Sequence, residues 1–244
     1  MMPFYYGFDP MYLIMVAPAL LLALYAQWKV RSAMGKWGRV ANTSGLSGAA
    51  AARRILDRAG LVDVRVEQAG GFLTDHYDPR TRVLRLSPQV YQLNSVAAVG
   101  IAAHEAGHAL QHANHYAPLQ FRTAIVPTAQ VGSWLSFPLI IVGALMMRAA
   151  HASPLGFWIA IAGVALFGLT VVFQIVTLPV EFDASRRAKQ AVGDLGIVQV
   201  REEADGVAAV LNAAALTYVA ATVTALLTLL YWLMRLGVLG GRRN

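Results

Sequence analysis

The sequence predicts a multi-pass α-helical membrane protein, with four transmembrane helices carrying a small α+β domain on the cytoplasmic side. Three observations predict it. Apolar residues make up 57% of the 244 residues and charged residues only 14%, a balance outside the range of soluble domains. Four stretches stay apolar long enough to cross a hydrocarbon core about 30 Å thick. Between the first two lies a polar portion whose pattern changes from helical to alternating and back to helical.

Residues 1–28 are the N-terminal segment and the first span. Residues 1–10 hold no Lys or Arg and so do not resemble the basic start of a cleaved signal peptide. The apolar run over 11–28 is 18 residues, at the short end for a spanning helix. Lys29, Arg31, Lys36 and Arg39 follow it. Positive residues stay cytoplasmic, so the N-terminus faces out and the chain enters the cytoplasm here.

Residues 29–123 form the α+β portion. Ser47 is expected to cap a helix running to Ala59, which Gly60 stops. Residues 62–67 alternate strictly and predict a half-buried strand. Two more strands are expected over 72–76 and 81–87, around a turn at Asp78-Pro79. A helix over 94–115 closes the portion.

Residues 124–178 carry the second and third spans as a hairpin whose link, with Arg148, His151 and Pro154, lies outside. Pro138 is expected to kink one span and Pro179 to close the other. The segment 179–212 is polar and mixed in charge, and 213–244 holds the fourth span and a tail ending Arg242-Arg243-Asn244. Near span ends the cytoplasmic side gathers Lys29, Arg31, Lys36, Arg39, Arg122, Arg186, Arg187 and Lys189, against Arg148, Arg242 and Arg243 opposite. The net charge of +7 therefore reads as membrane topology, and no nucleic-acid partner is expected. The absence of Cys excludes disulfides and thiolate metal ligands.

The chemistry concentrates in the helix over 94–115. His104-Glu105-Ala106-Gly107-His108 is an HExxH motif. Histidines at i and i+4 share one helix face and can reach one metal ion, while Glu105 sits about 100° away. That offset suits a carboxylate that takes a proton from an activated water. Small apolar residues run directly into the motif, and an unpaired His-Glu-His set would be expensive to bury there. A catalytic zinc site ordinarily has three protein ligands. The longer pattern HExxHxxGxxH fails, because Gln111 and Asn114 stand where its Gly and third His would be. A straight helix cannot wrap three side chains around one ion, so His112 and His115 are expected to be solvated or to support the ligands. Glu181 is the better third ligand, since the chain between it and His108 crosses the membrane twice and returns to the same side. The alternative for Glu181 is an ion pair with Arg186 or Arg187. Asp183 is the fallback ligand, or a hydrogen-bond partner for a ligand histidine.

HEAGHALQH, a transmembrane hairpin and PVEFDASRRA in that order resemble the YugP-like family of membrane zinc metallopeptidases. DHYDPRTRVLRLS and VLNAAALTYVAA are similar to that family too, so the resemblance covers most of the chain. More distantly it resembles the HtpX-like and CAAX-prenyl-protease enzymes, which pair HExxH with an ExxxD glutamate. The resemblance implies a zincin-like metalloprotease domain with His104, His108 and Glu181 as zinc ligands and Glu105 as general base. Ser185 stands where the ExxxD aspartate would be, and the nearby acid is Asp183.

The function expected from these residues is hydrolysis of peptide bonds in membrane-associated or misfolded proteins at the cytoplasmic face of the cell membrane. His76, Tyr77 and Arg186 are the candidate oxyanion donors. The strand over 81–87 is expected to receive an extended substrate by strand addition. Two other readings fit part of the sequence. One is a site-2-type intramembrane protease using Asp194, in GDLG, as a ligand; the other is a non-catalytic scaffold or chaperone-like binder with a structural metal site. An intact Glu105 argues against the scaffold, since a structural site does not require that carboxylate.

Overall fold

The computed structural model describes residues 9–71, 74–149 and 153–239. Residues 1–8, Phe72, Leu73, His151 and the arginines of the tail, all used in the sequence reading, lie outside them. The chain divides into two compact units. One holds residues 1–24, 121–177 and 218–244; the other holds 25–120 and 178–217.

Among the described residues, four helices are long and apolar enough to cross a membrane: α1 (Pro10–Trp37), α5 (Ala117–Ala149), α6 (Pro154–Asp194) and α7 (Arg201–Arg235). Each outruns the apolar stretch that predicted it. The helical backbone persists into polar sequence because helix geometry does not depend on hydropathy. Pro179 does not end its helix either; α6 runs through it for another fifteen residues. Proline removes one helical hydrogen bond, a loss membrane helices accommodate through neighbouring groups. Leu21, Leu24, Trp134, Leu145 and Trp158 are exposed on these helices, as lipid contact requires. In the first unit α5 and α6 meet backbone to backbone. A Cβ on Gly143 would lie 2.5 Å from the Gly156 carbonyl, and one on Gly163 2.7 Å from the Ser136 carbonyl. Small residues give membrane helices this close van der Waals contact where no hydrophobic driving force separates protein from lipid.

The second unit adds α2 (Gly48–Arg58), β1 (Arg65–Gln68), β2 (His76–Asp78), β3 (Val83–Leu86), α3 (Pro88–Gln92) and α4 (Val96–Ala113). Ser47 caps α2 by accepting from the Ala50 amide. Gly60 adopts φ 73° just past its end, and the Leu61 amide reaches back to the Leu56 carbonyl. That pairing is the Schellman closure glycine permits. Ala51, Ala52, Ile55 and Leu56 form its buried stripe.

The strands are shorter than the alternation predicts. The first begins at Arg65, because Val62 is exposed in a turn that follows the helix stop. The sheet order is β1-β3-β2, with β1 parallel and β2 antiparallel to β3. Val83, Leu84 and Leu86 are fully buried, so β3 is the centre of the sheet. This overturns the expectation that its strand receives an extended chain, since both of its sides are already paired. Helix α3 went unread because its five residues are too few for periodicity.

Helix α4 lies at the middle of the unit's core. Val96, Val99, Ala102, Ala103 and Ala106 pack in one cluster with Leu56, Leu84, Trp37, Ala188, Ile197 and Val207. Ser95 caps it through the Ala98 amide, and Asn42 fixes its entry by donating to the Asn94 carbonyl. Buried Glu203 accepts from the Thr43 amide at 2.6 Å and the Gln199 amide at 3.2 Å, joining the start of α7 to the loop before α2.

The approach of α6 to α4 is set at one residue. A Cβ on Gly107 would sit 2.7 Å from the Ala184 carbonyl oxygen, a backbone atom that cannot move aside without its helix. Gly107→Ala is therefore expected to destabilise the unit by about 1–3 kcal/mol, the usual cost of overpacking. Gly193→Ala in the same α6, where nothing lies within 4 Å, should be neutral or slightly stabilising. Thermal unfolding midpoints of the two variants in detergent check the contrast.

Candidate metal centre

His104 and His108 stand one turn apart on α4, and their rings meet edge to face with centroids 4.8 Å apart. Glu181 comes from α6 across the Gly107 contact. Its Oε2 lies 3.1 Å from His104 Nε2 and 3.7 Å from His108 Nε2. One ligand atom from each of the three lies within 4.8 Å of the others. Glu181 is 2% exposed and His108 is buried.

The opposite ring nitrogens are held from behind. Ser185, one turn beyond Glu181 on α6, places its hydroxyl 3.2 Å from His104 Nδ1. Gln111, one turn beyond His108 on α4, places Oε1 3.0 Å from His108 Nδ1. Both imidazoles thus turn Nε2 toward Glu181. The sequence named Ser185 only as a departure from a pattern and Gln111 only as a missing glycine. The readable signal was spacing: Gln111 is seven residues from His104, two helical turns, on the ligand face of an otherwise apolar helix.

Burial works against ionisation of Glu181, yet hydrogen bonds from His104 and His108 overcome it and hold the carboxyl well below the usual range. Burial likewise opposes protonation of His108, but the Glu181 contact and the negative charges of Glu105 and Glu181 raise its pKa. The pocket electrostatically favours positive charge between these groups.

Asp183 is not beside the two histidines' Nε2 atoms. It accepts from Gln111 Nε2 at 2.9 Å and from Arg187 Nε at 2.5 Å, and it pairs with Arg186. The ion pairs expected as the alternative for Glu181 form on Asp183 instead. Burial of Asp183 is outweighed by these donors, which lower its pKa.

The remaining expected residues take other places. His76 is exposed, with Nδ1 2.7 Å from the Thr74 carbonyl and Nε2 3.5 Å from Arg85. The Tyr77 hydroxyl lies 2.9 Å from His112 Nδ1. His115 follows the end of α4 with φ 50° and faces Gln120. Asp194 is thirteen residues past Glu181 on one helix, about 20 Å along its axis, too far to share an ion with it.

The donor set fits zinc. Two imidazole nitrogens and a carboxylate oxygen are the ligands of a well-known catalytic class, and tetrahedral ligands about 2.0–2.1 Å from zinc stand roughly 3.3 Å from one another. The separations of 3.1 and 3.7 Å bracket that spacing. His104, His108 and Glu181 are thus the residues that would hold the ion.

A family model described as "Putative neutral zinc metallopeptidase" matches residues 12–237. The chain is also 45% identical over 224 residues to the "Putative membrane protease YugP" of Bacillus subtilis (strain 168), covering 92% of this chain and 96% of that protein. No solved structure matches the chain. With nearly its whole length matched by the model and by this relative, the chain belongs to that family of zinc metallopeptidases.

Proposed function

We propose that the protein is a zinc metalloprotease that hydrolyses peptide bonds of membrane-associated or misfolded proteins at the cytoplasmic surface of the membrane. The observation that carries this reading is the convergence of His104, His108 and Glu181 next to the glutamate of an HExxH helix. Bound there, zinc would supply a Lewis acid that acidifies water and polarises a peptide carbonyl. Glu105, buried and one residue past His104, takes the proton of the attacking water and passes it to the leaving amine. Glu181 would bring negative charge to hold the ion, and its burial would strengthen that attraction.

An extended substrate pairs with β2 rather than β3. Among the described residues the other side of β2 carries no strand, and the Tyr77 contact with His112 sets this strand against α4. Of the expected oxyanion donors, His76 and Tyr77 are engaged elsewhere. Arg186 remains, an exposed guanidinium anchored to Asp183 on the Glu181 helix. The placement on the cytoplasmic side rests on the basic residues that flank the spans.

Three results are expected. Purified wild type binds one zinc per chain; Glu181→Ala loses it, whereas Glu105→Gln keeps it and drops proteolysis by about 10²–10⁴-fold, as loss of a general base does. Elemental analysis beside cleavage of an unfolded protein substrate reads both, and a zinc-replete Glu105→Gln with full activity would remove Glu105 from the mechanism. Chelation with 1,10-phenanthroline abolishes cleavage, and added zinc restores it. Because the chain has no Cys, single cysteines report sidedness cleanly. In intact cells a membrane-impermeant maleimide should label Leu155→Cys, and Arg58→Cys only after permeabilisation; the reverse pattern would put the site outside.

A further inference from the structure

We infer that Gln111 is a positioning residue that fixes which nitrogen of His108 faces the metal. The inference rests on the metal-site reading above and goes beyond it. Gln111 is fully buried, and its amide meets three partners. Nε2 lies 2.8 Å from the Val180 carbonyl oxygen and 2.9 Å from Asp183 Oδ2. Both partners only accept, so the amide nitrogen must face them and both of its hydrogens are used.

That leaves Oε1, a pure acceptor, 3.0 Å from His108 Nδ1. With an ion in the site, His108 would therefore keep a hydrogen on Nδ1, and Nε2, the nitrogen that faces Glu181, is the one left to give its lone pair to the ion. The amide orientation is thus set by α6, at Val180 and Asp183, and read out on α4, at His108. The same amide ties the second histidine to Val180 and Asp183, one residue before Glu181 and two after it. Arg186 and Arg187 hold Asp183 in turn, so the strut ends on a carboxylate already neutralised by two guanidiniums. Metal-bound histidines most often donate their second nitrogen to a carboxylate, a carbonyl or water; here a side-chain amide stands between histidine and carboxylate.

The test is zinc affinity by competition with a chromogenic chelator, in the detergent-purified full chain. Gln111→Met keeps the volume and removes all three hydrogen bonds. It is expected to weaken zinc binding by about 10–100-fold, the usual effect of losing such a partner. Gln111→Glu sets a carboxylate against Asp183 and should weaken binding similarly. Adding Asp183→Asn to Gln111→Glu returns a donor to that contact, with its direction reversed, while the Val180 carbonyl stays without one, so it should recover part of the lost affinity, at least about threefold over Gln111→Glu. A residue that only fills space would show no such rescue, so a double variant as weak as Gln111→Glu overturns the strut. Equal affinity in wild type and Gln111→Met overturns it too, and leaves the ligand reading standing. A wild type that binds no zinc overturns the ligand reading and the strut with it.

Discussion

The structure depends on one buried charge. Glu181 carries a carboxylate that is 2% exposed, and a carboxylate out of water is stable only with compensating positive charge and hydrogen bonds. Two histidines from another helix supply the contacts, which works only if α4 and α6 lie close and in register. The core of the second unit exists to hold that register. Ser95 and Asn42 fix where α4 starts, Glu203 fixes where α7 starts, and alanines and valines fill the space between. The position of α4 at the centre of the core follows from the same need. A ligand helix at the rim would let the two imidazoles drift with each side-chain rearrangement.

The polar shell behind the histidines follows a division of labour. Ser185 and Gln111 are neutral and touch the rings directly, while Asp183 carries the charge one hydrogen bond further away. A carboxylate bonded directly to an imidazole raises its basicity as a ligand. Neutral partners orient the ring without that increase.

Much of this was legible in the sequence, for reasons that differ by residue. The four spans were readable because hydropathy over 18 residues averages out local noise, although Pro179 and the polar ends hid how far α6 and α7 extend. The pairing of His104 with His108 was readable because both lie within one helix turn, where spacing determines geometry. Glu181 was readable through the topological return of the chain and the resemblance together. The order of the sheet was not, since alternation marks a strand but never names its neighbours, and the most buried strand was expected to be available for pairing. The exchange of partners between Glu181 and Asp183 escaped for a similar reason. Both acids precede the same two arginines, and only the direction each takes from the helix decides which one meets the guanidiniums.

The two unspecified positions of the HExxH pattern are usually treated as blanks. In this chain they hold Ala106, fully buried, and Gly107, whose missing side chain leaves room for the Ala184 backbone. The pentapeptide is therefore a steric gauge as well as a ligand set. Its lettered residues say what can bind, and its blanks say how near a second helix can come. A relative with a bulky residue at the second blank would need a wider helix separation, and a glutamate no longer than this one would fall short of both rings. The size of the residue at that blank thus forecasts whether the third ligand arrives on a tightly docked helix or on a longer-reaching segment.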